Sequence, residues 1–259
     1  MTSIGVEHFD LTNRKAIVLG ADNPGGAAVA RAFAEGGADL VIGVFEHDRN
    51  VDMLQADLES MGARCSVLAV DLQNPRHAGE AVCNAAAQLG SLDLLAVCCD
   101  AFLAKPIDET TDADLDDVMS MNYGVAFSAV RAAVSEMRRR GQGGRLLILT
   151  HVLGERGLPN TAAYGAAHAA IHNLVRTLGR ELGPDGITIN AIALGWMDWM
   201  SDRLNPQDEE SERAIRFALV KRAGQPDDIG PMAVWLAGSG AGYVTGQIFH
   251  LDGGLTQHL

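Results

Sequence analysis

The chain has 259 residues, 47% of them hydrophobic and 20% charged, and carries a net charge of −13 at pH 7. This is ordinary globular composition, long enough for a large core and within reach of a single α/β unit. A surface that tracks phosphates needs clustered Lys and Arg, so the acidic balance argues against a nucleic-acid partner.

In chain order, apolar runs alternate with amphipathic or Ala-rich segments. Residues 15–19 read as a short buried strand and 25–35 as a helix ending at Gly36-Gly37. Strands are expected at 39–44, 65–70, 92–98, 145–149, 187–192 and 247–251. Helices are expected at 50–61, 75–89, 115–140, 162–182 and 226–237. Arg138-Arg139-Arg140 reads as the cationic last turn of the long helix before Gly141, complementing its dipole. Strand runs without alternation, separated by helices, indicate a parallel sheet covered on both faces. The expected fold class is α/β, a doubly wound, Rossmann-like parallel sheet, with residues 1–259 as one domain. The stretch 196–225 breaks the strand–helix rhythm, and Trp196, Met197, Trp199 and Met200 there can form an apolar lid.

Cys65, Cys83, Cys98 and Cys99 form no C-x-x-C pair. Free buried cysteines suit a reducing compartment. Residues 1–10 have no leader pattern, and no run approaches the ~20 apolar residues of a membrane span. The expectation is a cytoplasmic protein without membrane contact.

The stretch 161–168, Thr-Ala-Ala-Tyr-Gly-Ala-Ala-His, opens a helix after the strand-like 144–151. Together with the glycine turn Gly20-Ala21-Asp22-Asn23-Pro24-Gly25-Gly26 and the ends 222–229, 242–247 and 251–254, it resembles the short-chain dehydrogenase/reductase family. The resemblance covers about 13–254. It implies a nicotinamide-dependent oxidoreductase in which Tyr, Lys and Ser work with an upstream Asn. Here those positions hold Tyr164, His168, His151 and Asn122, two of them substituted.

For the cofactor, the resemblance implies Gly20 and Gly26 at the pyrophosphate turn and Asp71 at the adenine. Pro24 replaces the middle glycine and brings no N–H. Asp22 adds a carboxylate to the turn. Val44 stands where an acid would hold the ribose, with Glu46 nearby. Asp100 replaces a glycine that lies beside the cofactor. The expectation is that this chain binds no cofactor tightly, with NAD or NADP used if it is active or by a partner subunit.

Thr150 is expected to point away from His151, since successive strand residues face opposite sides. His168 and His172 share a helix face, but no third ligand is spaced to join them, so no metal site is expected.

In the family, both the C-terminal segment and the long helices pack against neighbouring subunits. Preserved assembly elements beside altered chemistry point to a non-catalytic or weakly catalytic subunit. Its partner would be an active paralogue in a heterotetramer; a homo-oligomer is the other expectation. Mixed assemblies in the family act on hydroxyacyl-CoA or ketoacyl thioesters, one of them in anaerobic toluene catabolism. Two alternatives stand beside this: a stand-alone NAD(P)-dependent oxidoreductase using Tyr164, and a redox-neutral lyase or dehydratase using His151, Tyr164 and His168.

Overall fold

The computed structural model describes residues 6–71, 74–203 and 215–257. Seven strands form one parallel sheet: β1 (Lys15–Leu19), β2 (Asp39–Val44), β3 (Cys65–Ala69), β4 (Leu94–Val97), β5 (Gly144–His151), β6 (Ile187–Leu194) and β7 (Ile248–Leu251). Their order is β3-β2-β1-β4-β5-β6-β7, and every neighbouring pair is parallel. The order reverses between β1 and β4, which opens a crevice at their carboxyl ends.

Helices cover both faces. α1 (Pro24–Glu35), α2 (Arg49–Ser60) and α7 (Pro226–Ala237) enclose one core layer around Phe33, Leu58 and Ile229. α3 (Pro75–Leu89), α4 (Asp112–Met119), α5 (Val125–Arg140) and α6 (Ala162–Leu182) lie on the other side, with Val82, Val130 and Val175 in its core. Phe33 is fully buried. Truncating such a residue typically costs about 3–5 kcal/mol.

The helix ends follow local chemistry. Asn23, Asp48 and Asn74 cap α1, α2 and α3 with their side chains. Gly141 stops α5 at φ 69°, after three arginines in the last turn.

Several elements depart from the sequence reading. The expected helix 115–140 is two helices joined by a wide π turn at Ser120–Gly124. It also starts earlier, because Thr111 and Asp114 form a capping box ahead of Leu115. β5 runs two residues beyond the expected end, so Thr150 and His151 lie within the sheet. β6 likewise extends to Leu194, while β4 is shorter at both ends. Pro24 opens α1 at its first position, where a missing N–H breaks no helix hydrogen bond.

Candidate active site

The crevice is floored by the turn after β1. Gly20 sits at φ 80°, and a Cβ there would press on the Cys98 and Cys99 backbone. A Cβ on Gly26 would run into the Gly20 carbonyl oxygen. Both glycines are therefore required by the turn itself, whatever it binds. Asn23 ties the turn together. Its Nδ2 donates to the carbonyls of Gly20 and Cys98, each at 2.7 Å, and its Oδ1 accepts from Gly26 N–H at 2.9 Å. Asp22 reaches across to the end of β2, where its carboxylate accepts from Phe45 N–H at 2.8 Å.

Asp71 lies after β3, its Oδ2 3.3 Å from His77 Nδ1. It does not line the cavity around Tyr164.

Asn122 is buried within the π turn. Its Oδ1 accepts from Ala101 N–H at 3.0 Å, and its Nδ2 donates to Ala101 O at 3.0 Å and Val118 O at 2.9 Å. Those bonds pin the chain immediately after Asp100.

Tyr164, His168 and His151 come together as expected. The His168 ring lies 4.3 Å from that of Tyr164, and the His151 ring 5.6 Å from it, centroid to centroid. Phe102 packs edge-on to Tyr164 at 5.0 Å. His151 Nδ1 accepts from Leu153 N–H at 3.2 Å, which places the proton of the neutral ring on Nε2.

Two contacts escaped the sequence. Tyr164 donates its phenol hydrogen to Asp100 Oδ1 at 2.8 Å. The sequence marked Asp100 only as a charge opposed to a cofactor, and the bond spans 64 residues with no local signal. Thr150 also borders the cavity at the end of β5. Its Oγ1 meets His168 Nδ1 at 2.8 Å. β5 alternates as expected, Leu147 and Leu149 packing in one core layer and Leu146 and Ile148 in the other, and Thr150 meets α6 on the second side.

His168 Nε2 faces Asp100 Oδ1 at 3.6 Å, beyond hydrogen-bond range, and has no hydrogen-bond partner. A chain of contacts thus runs from Thr150 through His168 to Asp100 and Tyr164. The cavity is lined also by Asn23, Trp199 and Met200. No lysine or arginine is among its described lining residues.

Asp100 lines the cavity, and Asp22 lies in the adjoining turn. Burial pushes the Cys99 thiol up to about 12, and the charges of Asp22 and Asp100 add to that. A dinucleotide's phosphates need donors and positive charge. The N-terminus of α1 opens at this turn, with Asp22 beside it and its carboxylate directed to Phe45 N–H.

Trp199 and Met200 belong to a short 3₁₀ stretch, Asp198–Arg203. Of the lid expected at 196–225, residues 204–214 lie outside the described residues. Among the described residues, no group of three or more His, Cys, Asp or Glu side chains is arranged to hold a metal ion. No helix among them is long and apolar enough to cross a membrane.

The sequence profile of the family described as enoyl-(acyl carrier protein) reductase matches residues 21–256. The chain belongs to the short-chain dehydrogenase/reductase family. A short-chain reductase from Streptomyces niveus is 32% identical over 246 residues, 92% of each chain. A 3-oxoacyl-(acyl-carrier-protein) reductase from Rickettsia bellii is 30% identical, over 95% of this chain and 98% of its own. A 7α-hydroxysteroid dehydrogenase solved with NADH and 7-oxo glycochenodeoxycholic acid superimposes with a TM-score of 0.89. It shares 26% identity and covers 97% of both chains.

Proposed function

We propose that this short-chain dehydrogenase/reductase is a non-catalytic or weakly catalytic subunit that works beside an active member of the same family. The assembly would be an NAD(P)-dependent oxidoreductase for hydroxyacyl or ketoacyl thioesters. The observation that carries this reading is the hydrogen bond from Tyr164 to Asp100, at 2.8 Å. In the family's reaction, the tyrosine proton must move to or from a substrate oxygen. Here a carboxylate already accepts it. A phenolate at this spot would face the Asp100 charge, a repulsion of a few kcal/mol at an effective dielectric of about 20.

Three further features support the same reading. The described lining of the cavity at Tyr164 carries a carboxylate and no lysine or arginine. A histidine tied to Thr150 stands where the family places a lysine. Finally, Asp22 sets a carboxylate in the turn that would receive a pyrophosphate, and no step is routed through a cofactor bound to this chain. The thioester class comes from relatives, one of which is named a 3-oxoacyl-(acyl-carrier-protein) reductase.

The test is co-expression with an intact family member, followed by native mass spectrometry and replacement of each chain's tyrosine in turn. A defined mixed complex should keep its turnover in Tyr164→Phe and lose it when the other chain's tyrosine is replaced. A homo-oligomer whose own turnover disappears in Tyr164→Phe would overturn the reading and leave a stand-alone oxidoreductase.

A further inference from the structure

We infer that the Asp100 carboxylate is a built-in ligand seated in an oxyanion pocket made by Tyr164 Oη and His168 Nε2, and that this pocket accepts a small monocarboxylate once Asp100 is removed. The base of the pocket is fixed. Tyr164 and His168 are each 1% exposed, their rings packed at 4.3 Å. Thr150 Oγ1 holds His168 Nδ1 at 2.8 Å, which aims Nε2 at Asp100.

The ligand is fixed too. Asn122 grips both the N–H and the C=O of Ala101, so the residue after Asp100 cannot drift. A preorganised internal anion out-competes a dissolved one, because its ordering cost is met on folding.

The fit is incomplete, and this points to an oxygen ligand with more freedom. Oδ1 takes the phenol hydrogen at 2.8 Å but stays 3.6 Å from His168 Nε2, a buried nitrogen with no hydrogen-bond partner. Buried polar groups left unpaired are costly, so an anion free to shift would be drawn to bond both. Formate and acetate have the right charge and oxygen geometry, and formate nearly matches the atoms that Asp100→Ala removes.

This deepens the reading above by naming what occupies the site, yet its test needs no nucleotide and no turnover. Thermal unfolding of wild type and Asp100→Ala is followed in sodium formate, sodium acetate and sodium chloride at equal ionic strength. Formate should raise the Asp100→Ala midpoint with the logarithm of its concentration, by about 3 °C at ten times its dissociation constant. It should leave wild type and the double variant Asp100→Ala/Tyr164→Phe no different from chloride. Equal responses of wild type and Asp100→Ala would overturn the pocket.

Should Asp100→Ala fail to fold, Asp100→Asn keeps the shape without the charge. Ultraviolet titration, with Tyr164→Phe as the blank, should then show Tyr164 ionising at a lower pH in Asp100→Asn than in wild type. An unchanged midpoint would count against the inference. Tight nucleotide binding by wild type would defeat the subunit reading and leave the pocket standing. An absent formate response would do the reverse.

Discussion

His168 and His172 lie one turn apart on the same face of α6, both 1% exposed and each near one carboxylate, yet their surroundings differ in kind. His168 opens onto the crevice, with Thr150 bonded to one ring nitrogen and Asp100 facing the other. His172 packs against Gly154, where an added Cβ would meet its ring at 2.8 Å, and neither of its nitrogens has a hydrogen-bond partner. Its carboxylate neighbour, Glu155, sits 3.5 Å away and is shared with Arg176 at 3.0 Å and His250 at 3.0 Å. The lesson is that position on a helix face does not assign chemistry. A ring wired to proton carriers at a sheet edge is equipped to take part in proton exchange. The same ring one turn deeper serves as filling.

The largest expected effect lies in the deeper histidine. Burial pulls His172 down to about 4 from 6.5, against the opposing attraction of Glu155. The unfolded chain binds that proton readily and the folded chain does not. Stability is therefore fully present above about pH 6.5 and is lost as the pH falls toward 4, by about 2–3 kcal/mol. His168, Arg176 and His250 also face this ring, and their charges disfavour its protonation. His172→Leu should flatten this limb in urea denaturation followed against pH. An acid limb as steep as that of wild type would place the loss in other groups.

Thr150→Val tests the outer histidine. It removes the partner of a buried ring nitrogen and should cost about 1–3 kcal/mol in denaturant unfolding at pH 7. Glu155→Gln touches a side chain one-third exposed and already shared among several groups. It should cost less than about 1 kcal/mol. Equal costs for the two variants would erase the contrast drawn between the histidines.

Much of this site was legible in the residues. The tyrosine at the head of α6, the asparagine ahead of α5 and the glycines after β1 each stand at a spacing that marks a place in the fold. Only the family resemblance marked His151, His168 and Asp100 as changes. The pairings were not legible. Asp100 meets Tyr164 because the carboxyl end of β4 and the start of α6 converge across the sheet edge, and nothing near Asp100 in sequence encodes that. Alternation set Thr150 apart from His151, but gave no sign that its hydroxyl meets His168 across the end of the sheet. The π turn at Asn122 was hidden inside a helix pattern that ran unbroken through it. Glu155 and His250 gave no sign of meeting His172, since they come from a loop and from the last strand.

A smaller effect is expected from restoring the family's residue types alone. His151→Ser with His168→Lys leaves Asp100 in place, and the introduced lysine would pair with that carboxylate rather than with a nucleotide. Reduction of a ketoacyl substrate with NADH or NADPH should stay at the background rate of wild type. Turnover near 1–10 per second, ordinary for an enzyme, would show that the cofactor turn was intact throughout.

The most direct measurement is calorimetric titration of the purified wild-type chain with NAD, NADH, NADP and NADPH. Asp22 within the turn and Asp100 bonded to Tyr164 predict no dissociation constant below about 100 μM, or a binding free energy no better than about −5.5 kcal/mol. A micromolar constant for any of the four would contradict the account and return Tyr164 to the role it has in the family's active members.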